Sequence, residues 1–233
     1  MKASKKFIQG RFPNCDIALL AGSASRGEET ASSDLDILIF EATASPYRES
    51  FEEYGWRIEC FVHNHESYLQ QFQSDRVKGS PVLAAMIAEG KVLKDHGQVR
   101  SLKEAAETFI KQGPEPLKEP FVQASRYFIF DLLDDFMDAK EYEEAAMSLN
   151  TMSVQLIDFV LRVNGQWSGR GKTLVRALRK FDAELCERLV HAMNRFYRDQ
   201  DKKAVFDLVH EIYRPLGGQL FAGFSMGKTA PHL

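Results

Sequence analysis

Gly22-Ser23, then Asp34 and Asp36 on either side of Leu35, then Glu59, have the types and the order to handle a polyphosphate. Gly22-Ser23 directly follows an apolar run, DIALLA at 16–21. Glycine lets backbone approach a ligand closely, and free N–H groups at a turn or helix start attract phosphate oxygens. Ten residues (24–33) separate Ser23 from Asp34, and Asp34-Leu35-Asp36 leads into a second apolar run, LDILIF. Side chains alternate along a strand, so the two carboxylates share one face while Leu35 and Ile37 take the other. Glu59 sits inside WRIECFV, where a charge is costly unless it has a partner or a task. If the three carboxylates converge, any two at about 4 Å repel by about 4 kcal/mol at an effective dielectric near ~20. Such a cluster calls for cations, and an all-oxygen ligand set suits Mg²⁺ or Mn²⁺. Two such ions can clamp the attacking and departing oxygens of a displacement at phosphorus, a reaction that otherwise needs mainly positioning and charge stabilisation.

Spacing alone does not make a site. Asp199-Gln200-Asp201 repeats the Asp-x-Asp pattern among polar residues, with neither a Gly-Ser nor a strand beside it, and reads as solvated turn chemistry. Gly171-Lys172-Thr173 and Gly227-Lys228-Thr229 resemble the end of a P-loop but lack the upstream glycine and the preceding strand. Lys172 remains a candidate to reach a phosphate or ribose from the glycine-containing segment before it. His63 and His65 read as turn residues. On the apolar-rich stretch 118–139, Asp131, Asp134, Asp135 and Asp138 recur at helical spacing. Against the plain reading of a solvated stripe stands a functional one: these carboxylates line a cleft, attract a cationic acceptor, and Asp131 acts as a base.

The elements that must position these residues change character along the chain. Strands are expected at 16–21, 35–40 and 56–62, with a short edge strand at 91–93 and helices at 2–10, 65–78 and 81–89. Ala44-Ser45-Pro46 closes off the segment after the second strand. Helices follow at 98–112, 118–139, 141–163, 172–180, 182–198 and 201–214, broken most clearly at Gly113-Pro114 and 164–171. On 118–139 the residues Phe121, Ser125, Phe128, Leu132 and Phe136 are expected to face the core. Few strands followed by many helices predict an α+β protein: a small mixed-sheet head at 1–96 and an all-helical bundle at 97–233.

Composition narrows the partners. Apolar residues make up 44% and the net charge is −3, the profile of an ordinary globular chain without the basic excess of a nucleic-acid binder. No stretch approaches the ~18–20 apolar residues that span a bilayer. MKASKKFIQGRF has no apolar core of the signal-peptide kind, and three scattered cysteines fit a reducing compartment, so the cytoplasm is the expected location.

Gly22-Ser23, ten residues, then Asp34-Leu35-Asp36-Ile37 resembles the hallmark of the DNA polymerase beta-like nucleotidyltransferase superfamily, and Arg26-Gly27 matches the form common in its small-substrate members. The layout resembles the aminoglycoside and lincosamide nucleotidyltransferases, which join such a head to a helical substrate-binding domain. The resemblance covers residues 17 to 40, extended by Glu59 and weakly by the segment to Asp95. It implies that Asp34 and Asp36 bind the metals and that Glu59 is a further metal ligand or the base. Gly22 and Ser23 hold the triphosphate, and Arg26 neutralises it. The implied reaction moves a nucleoside monophosphate, AMP by expectation, from ATP to a hydroxyl of a small acceptor and releases pyrophosphate. The alternative is a regulatory enzyme that adenylylates a partner protein; its known kind is little more than the head.

Overall fold

The computed structural model describes residues 1–43 and 45–227; Ala44, Lys228 and Thr229, invoked above, lie outside the described residues. Two compact units result, Met1–Gly113 and Pro114–Leu233.

The first unit opens with helix α1 (Lys2–Arg11), strand β1 (Ile17–Ala21) and a one-turn helix α2 (Gly22–Arg26). Strands β2 (Leu35–Phe40), β3 (Tyr47–Glu53) and β4 (Trp56–His63) follow, then helices α3 (Ser67–Lys78) and α4 (Val82–Glu89), strand β5 (Lys91–Asp95) and helix α5 (Val99–Gln112). The strands form one mixed sheet in the order β3-β4-β2-β1-β5, in which only β2 and β4 run parallel. One face carries Ala18, Leu20, Ile37, Ile39, Ile58, Cys60 and Val62 against Phe7 and Ile8 of α1 and Phe12 just after it. The opposite face carries the alternate residues. There Phe40 meets Tyr68 of α3 edge-on, with ring centroids 5.9 Å apart. Burying both faces explains why β1 and β2 read as continuous apolar runs.

Strand β3 was absent from the expected elements. YRESFEE is an edge strand with only Phe51 packed inward, so it has no apolar alternation to betray it. Its charges suit an edge that must not recruit another strand. It pairs with β4 as a hairpin whose two-residue turn, Tyr54-Gly55, has φ of 55° and 76°. Both values positive is the geometry whose twist matches a right-handed strand pair.

Helix α5 lies on the sheet side of the division, whereas the sequence pattern assigned it to the helical part. Val99, Leu102, Ala106 and Phe109 are its buried stripe, and Phe109 stacks on Phe72 of α3 at 4.5 Å. The Asp95 carboxylate also accepts the N–H groups of Gly97, Gln98 and Val99, tying the start of α5 to β5.

The second unit contains α6 (Glu119–Asp138), α7 (Tyr142–Val163), α8 (Lys172–Phe181), α9 (Ala183–Asp199), α10 (Lys203–Tyr213) and a 3-10 turn at Arg214–Leu216. Residues spaced three or four apart, such as Leu149, Met152, Leu156 and Phe159, or Cys186, Leu189, Ala192 and Phe196, form its core. Asp182 caps α9 by accepting the Leu185 N–H at 2.9 Å. The core stripe of α6 differs from the expected one. Ile129, Phe130, Leu133 and Phe136 are buried, whereas Phe121 and Phe128 stay 44% and 39% exposed. Phe128 lies edge-on to Tyr127 and Phe224, and Phe121 lies under the Arg162 guanidinium. The fold is thus α+β, a mixed sheet with its helices followed by a helical unit. No described helix is long and apolar enough to cross a membrane.

Candidate metal centre

Asp36 and Glu59 are direct register partners on the two parallel strands, β2 and β4. Such neighbours project from the same face of a sheet. Asp34, two residues ahead of Asp36 and just outside β2, follows the same alternation. One carboxylate oxygen from each of the three lies within 4.8 Å of the others, and all three side chains are half-buried. The mid-strand charge of Glu59 therefore has partners of its own sign, held beside it by the sheet register.

The electrostatics are as strained as that geometry implies. Burial, then Asp34, then Glu59 push the Asp36 carboxyl up to about 6; Arg48 and, less strongly, Arg26 oppose the shift. Among the described residues these three form the group of carboxylate, thiol and imidazole side chains able to surround a metal ion. The donor set fits a hard divalent cation: oxygen only, partly open to solvent, with repulsion that a cation relieves.

Gly22 has a more specific role than a generic turn glycine. With φ at +67°, a Cβ built on it would sit 2.0 Å from Asp36 Oδ2. The residue must lack a side chain for the Asp36 carboxylate to occupy its place. Ser23 does not cap α2, which starts one residue earlier at Gly22 and has no side-chain cap; its Oγ instead donates to Ser33 Oγ at 3.3 Å. Ser33 Oγ in turn accepts the Thr30 N–H at 2.8 Å, so these hydroxyls link α2 to the loop that delivers Asp34. Arg26 is held by Glu28 and Glu89, each at 3.1 Å.

Arg48 is the site residue that sequence reasoning missed. It lies on β3, diagonal to Glu59 across the ladder, and donates to Glu59 Oε2. Its guanidinium also rests over Phe61, 4.9 Å from the ring centroid. The only signal for it was an arginine on a segment not recognised as a strand.

The remaining candidates fall elsewhere. Lys172 begins α8 and is exposed; Gly171-Lys172-Thr173 joins two helices, not a strand and a helix. Asp131, Asp134, Asp135 and Asp138 are exposed on α6, and Gln219 Nε2 donates to Asp134 Oδ2 at 3.4 Å. Both sets belong to the second unit, whereas the triad is built from the first alone. His63 faces Ser67 Oγ through Nδ1 at 3.2 Å, and burial lowers its pKa. All three cysteines are buried, and burial pushes Cys60 up to about 12, which removes it as a nucleophile.

No protein-family model and no curated protein matches this chain. Among solved structures it is similar to a nucleotidyltransferase-like protein from Exiguobacterium sibiricum 255-15, at 10% identity and a TM-score of 0.49, over 92% of this chain and 75% of that one. At that level the likeness leaves the functional reading to the site itself.

Proposed function

We propose that this protein is a metal-dependent nucleotidyltransferase that moves a nucleoside monophosphate, AMP as the first expectation, from a nucleoside triphosphate to a hydroxyl of a small molecule. The observation that carries the reading is the convergence of Asp34, at the entry to β2, with Asp36 and Glu59 on adjacent strands, beside a glycine whose missing side chain the Asp36 carboxylate requires. Asp34 and Asp36 hold Mg²⁺ or Mn²⁺, and Glu59 completes the ligand set or takes the acceptor proton. Bound there, the ion supplies charge neutralisation for the triphosphate and its leaving group.

The chain's own residues do the rest. Gly22 and Ser23 border the triad and receive the phosphates; Arg26 turns from Glu28 and Glu89 toward the added negative charge. The acceptor oxygen forms a bond to the α-phosphorus as the bond to the bridging oxygen breaks, and pyrophosphate departs. The hydroxyl proton passes to the Glu59 carboxylate. The acceptor we expect is a small hydroxyl-bearing amine of aminoglycoside-like or lincosamide-like chemistry.

The test is incubation with labelled ATP, GTP, CTP and UTP, Mg²⁺ and a panel of hydroxylated amines, following pyrophosphate and mass shifts together. Pyrophosphate release with a nucleotidyl mass added to one acceptor, lost in Asp36→Asn, is the expected result. Release that persists undiminished in Asp36→Asn overturns the assignment.

A further inference from the structure

Arg48 and Glu59 form the one arginine–carboxylate pair made by a member of the triad among the described residues. Arg48 stands on the edge strand, its side chain 58% exposed, while that of Glu59 is 26% exposed. The pair is held by more than charge. Arg48 opposes Phe61 in the β3–β4 register and Ser50 opposes Glu59, so the arginine reaches Glu59 along the ladder diagonal while its guanidinium covers the Phe61 ring. The guanidinium takes up one lone pair of Glu59 Oε2 and sets a positive charge beside the triad, and that charge repels an incoming cation.

We propose that Arg48 is a resident counter-ion of the triad: it neutralises Glu59 in the metal-free protein and gives way when a divalent cation enters. The inference rests on the metal-site reading above and adds a regulation of that site. Arg48 thereby lowers metal affinity and keeps the three carboxylates in place without metal. It is a positioning residue, acting through Glu59. The exposed guanidinium can rotate off Glu59 into water, so its release requires no movement of the strand.

Mn²⁺ alone, titrated into the full chain and read by electron paramagnetic resonance, tests this on wild type, Arg48→Gln, Arg48→Lys and Asp36→Asn. Arg48→Gln should bind Mn²⁺ about threefold more tightly or better, in line with the strength of a part-exposed ion pair. Arg48→Lys should stay close to wild type, since it keeps the charge. Metal-free Arg48→Gln should melt below wild type, and saturating Mn²⁺ should close that gap. A purely structural role for Arg48 would leave the gap equal with and without Mn²⁺. Equal or weaker Mn²⁺ binding by Arg48→Gln, when wild type binds and Asp36→Asn does not, overturns this inference and leaves the metal site standing. Absence of Mn²⁺ binding that depends on Asp36 overturns both.

Discussion

At the scale of single residues, Gly22 carries an unusual share of the site. Two separate demands meet there, a positive φ and the space taken by Asp36 Oδ2. Gly22→Ala should therefore act twice. The left-handed backbone costs an alanine about 1 kcal/mol of stability. The new methyl group also pushes Asp36 from its place, so metal affinity and turnover should fall much further than that stability loss implies. Calorimetric Mg²⁺ titration beside thermal melting separates the two, and an alanine variant with wild-type metal affinity would remove Gly22 from the site. The Gly-Ser pair was legible in the sequence, but for an incomplete reason. Composition pointed to a backbone approached by a ligand; it could not show that a neighbouring strand's own carboxylate lies against the glycine.

Among the elements, the β3–β4 hairpin and the start of α4 each hold an adjustable term. Tyr54 occupies a left-handed position in a two-residue turn that prefers Asn or Gly, and its side chain is half exposed. Tyr54→Asn should raise stability by about 0.5–1 kcal/mol without altering the site, measured as a shift in denaturant midpoint at constant slope. Asp75 on α3 is buried; it accepts Gln71 Nε2 at 2.6 Å and the Leu83 N–H of α4 at 3.2 Å. Burial raises its pKa despite those bonds. A carboxyl raised on folding keeps its proton longer in the native state, so its ionisation lowers stability as pH climbs from the usual Asp value, about 3.9, through the raised one. Asp75→Asn, which can still accept from Leu83, should thus equal or exceed wild type in melting temperature at pH 7. Its advantage should shrink toward pH 3; one that grew on acidification would contradict the burial argument. That Asp75 serves α4 had no sequence signal, since the two groups are eight residues apart across a helix break.

For the molecule as a whole, metal and triphosphate together should raise the melting temperature by more than the sum of their separate effects, because each supplies charge that the other's site lacks. Strictly additive shifts in a differential scanning experiment would separate the triad from nucleotide binding. The sequence by itself determined the α+β order, the strands β1, β2 and β4, most of the helices, and Asp34, Asp36 and Glu59 as candidates. These follow from local quantities: strand runs of β-branched and apolar residues, helical periodicity, and charges placed where a strand should be apolar. It left β3 unread, because an exposed edge strand has no buried face to impose a pattern. It assigned α5 to the helical part, since a helix's apolar stripe shows that it packs but not against what. It took Phe121 and Phe128 for core, because an apolar row on a long helix can be satisfied by other aromatic side chains and a guanidinium while half exposed. Only the tertiary structure decided that the parallel register sets Asp36 beside Glu59, and that Arg48 reaches the same carboxylate from the edge. Pairing between strands is a choice among distant segments made by the whole core, and no local window of sequence contains it.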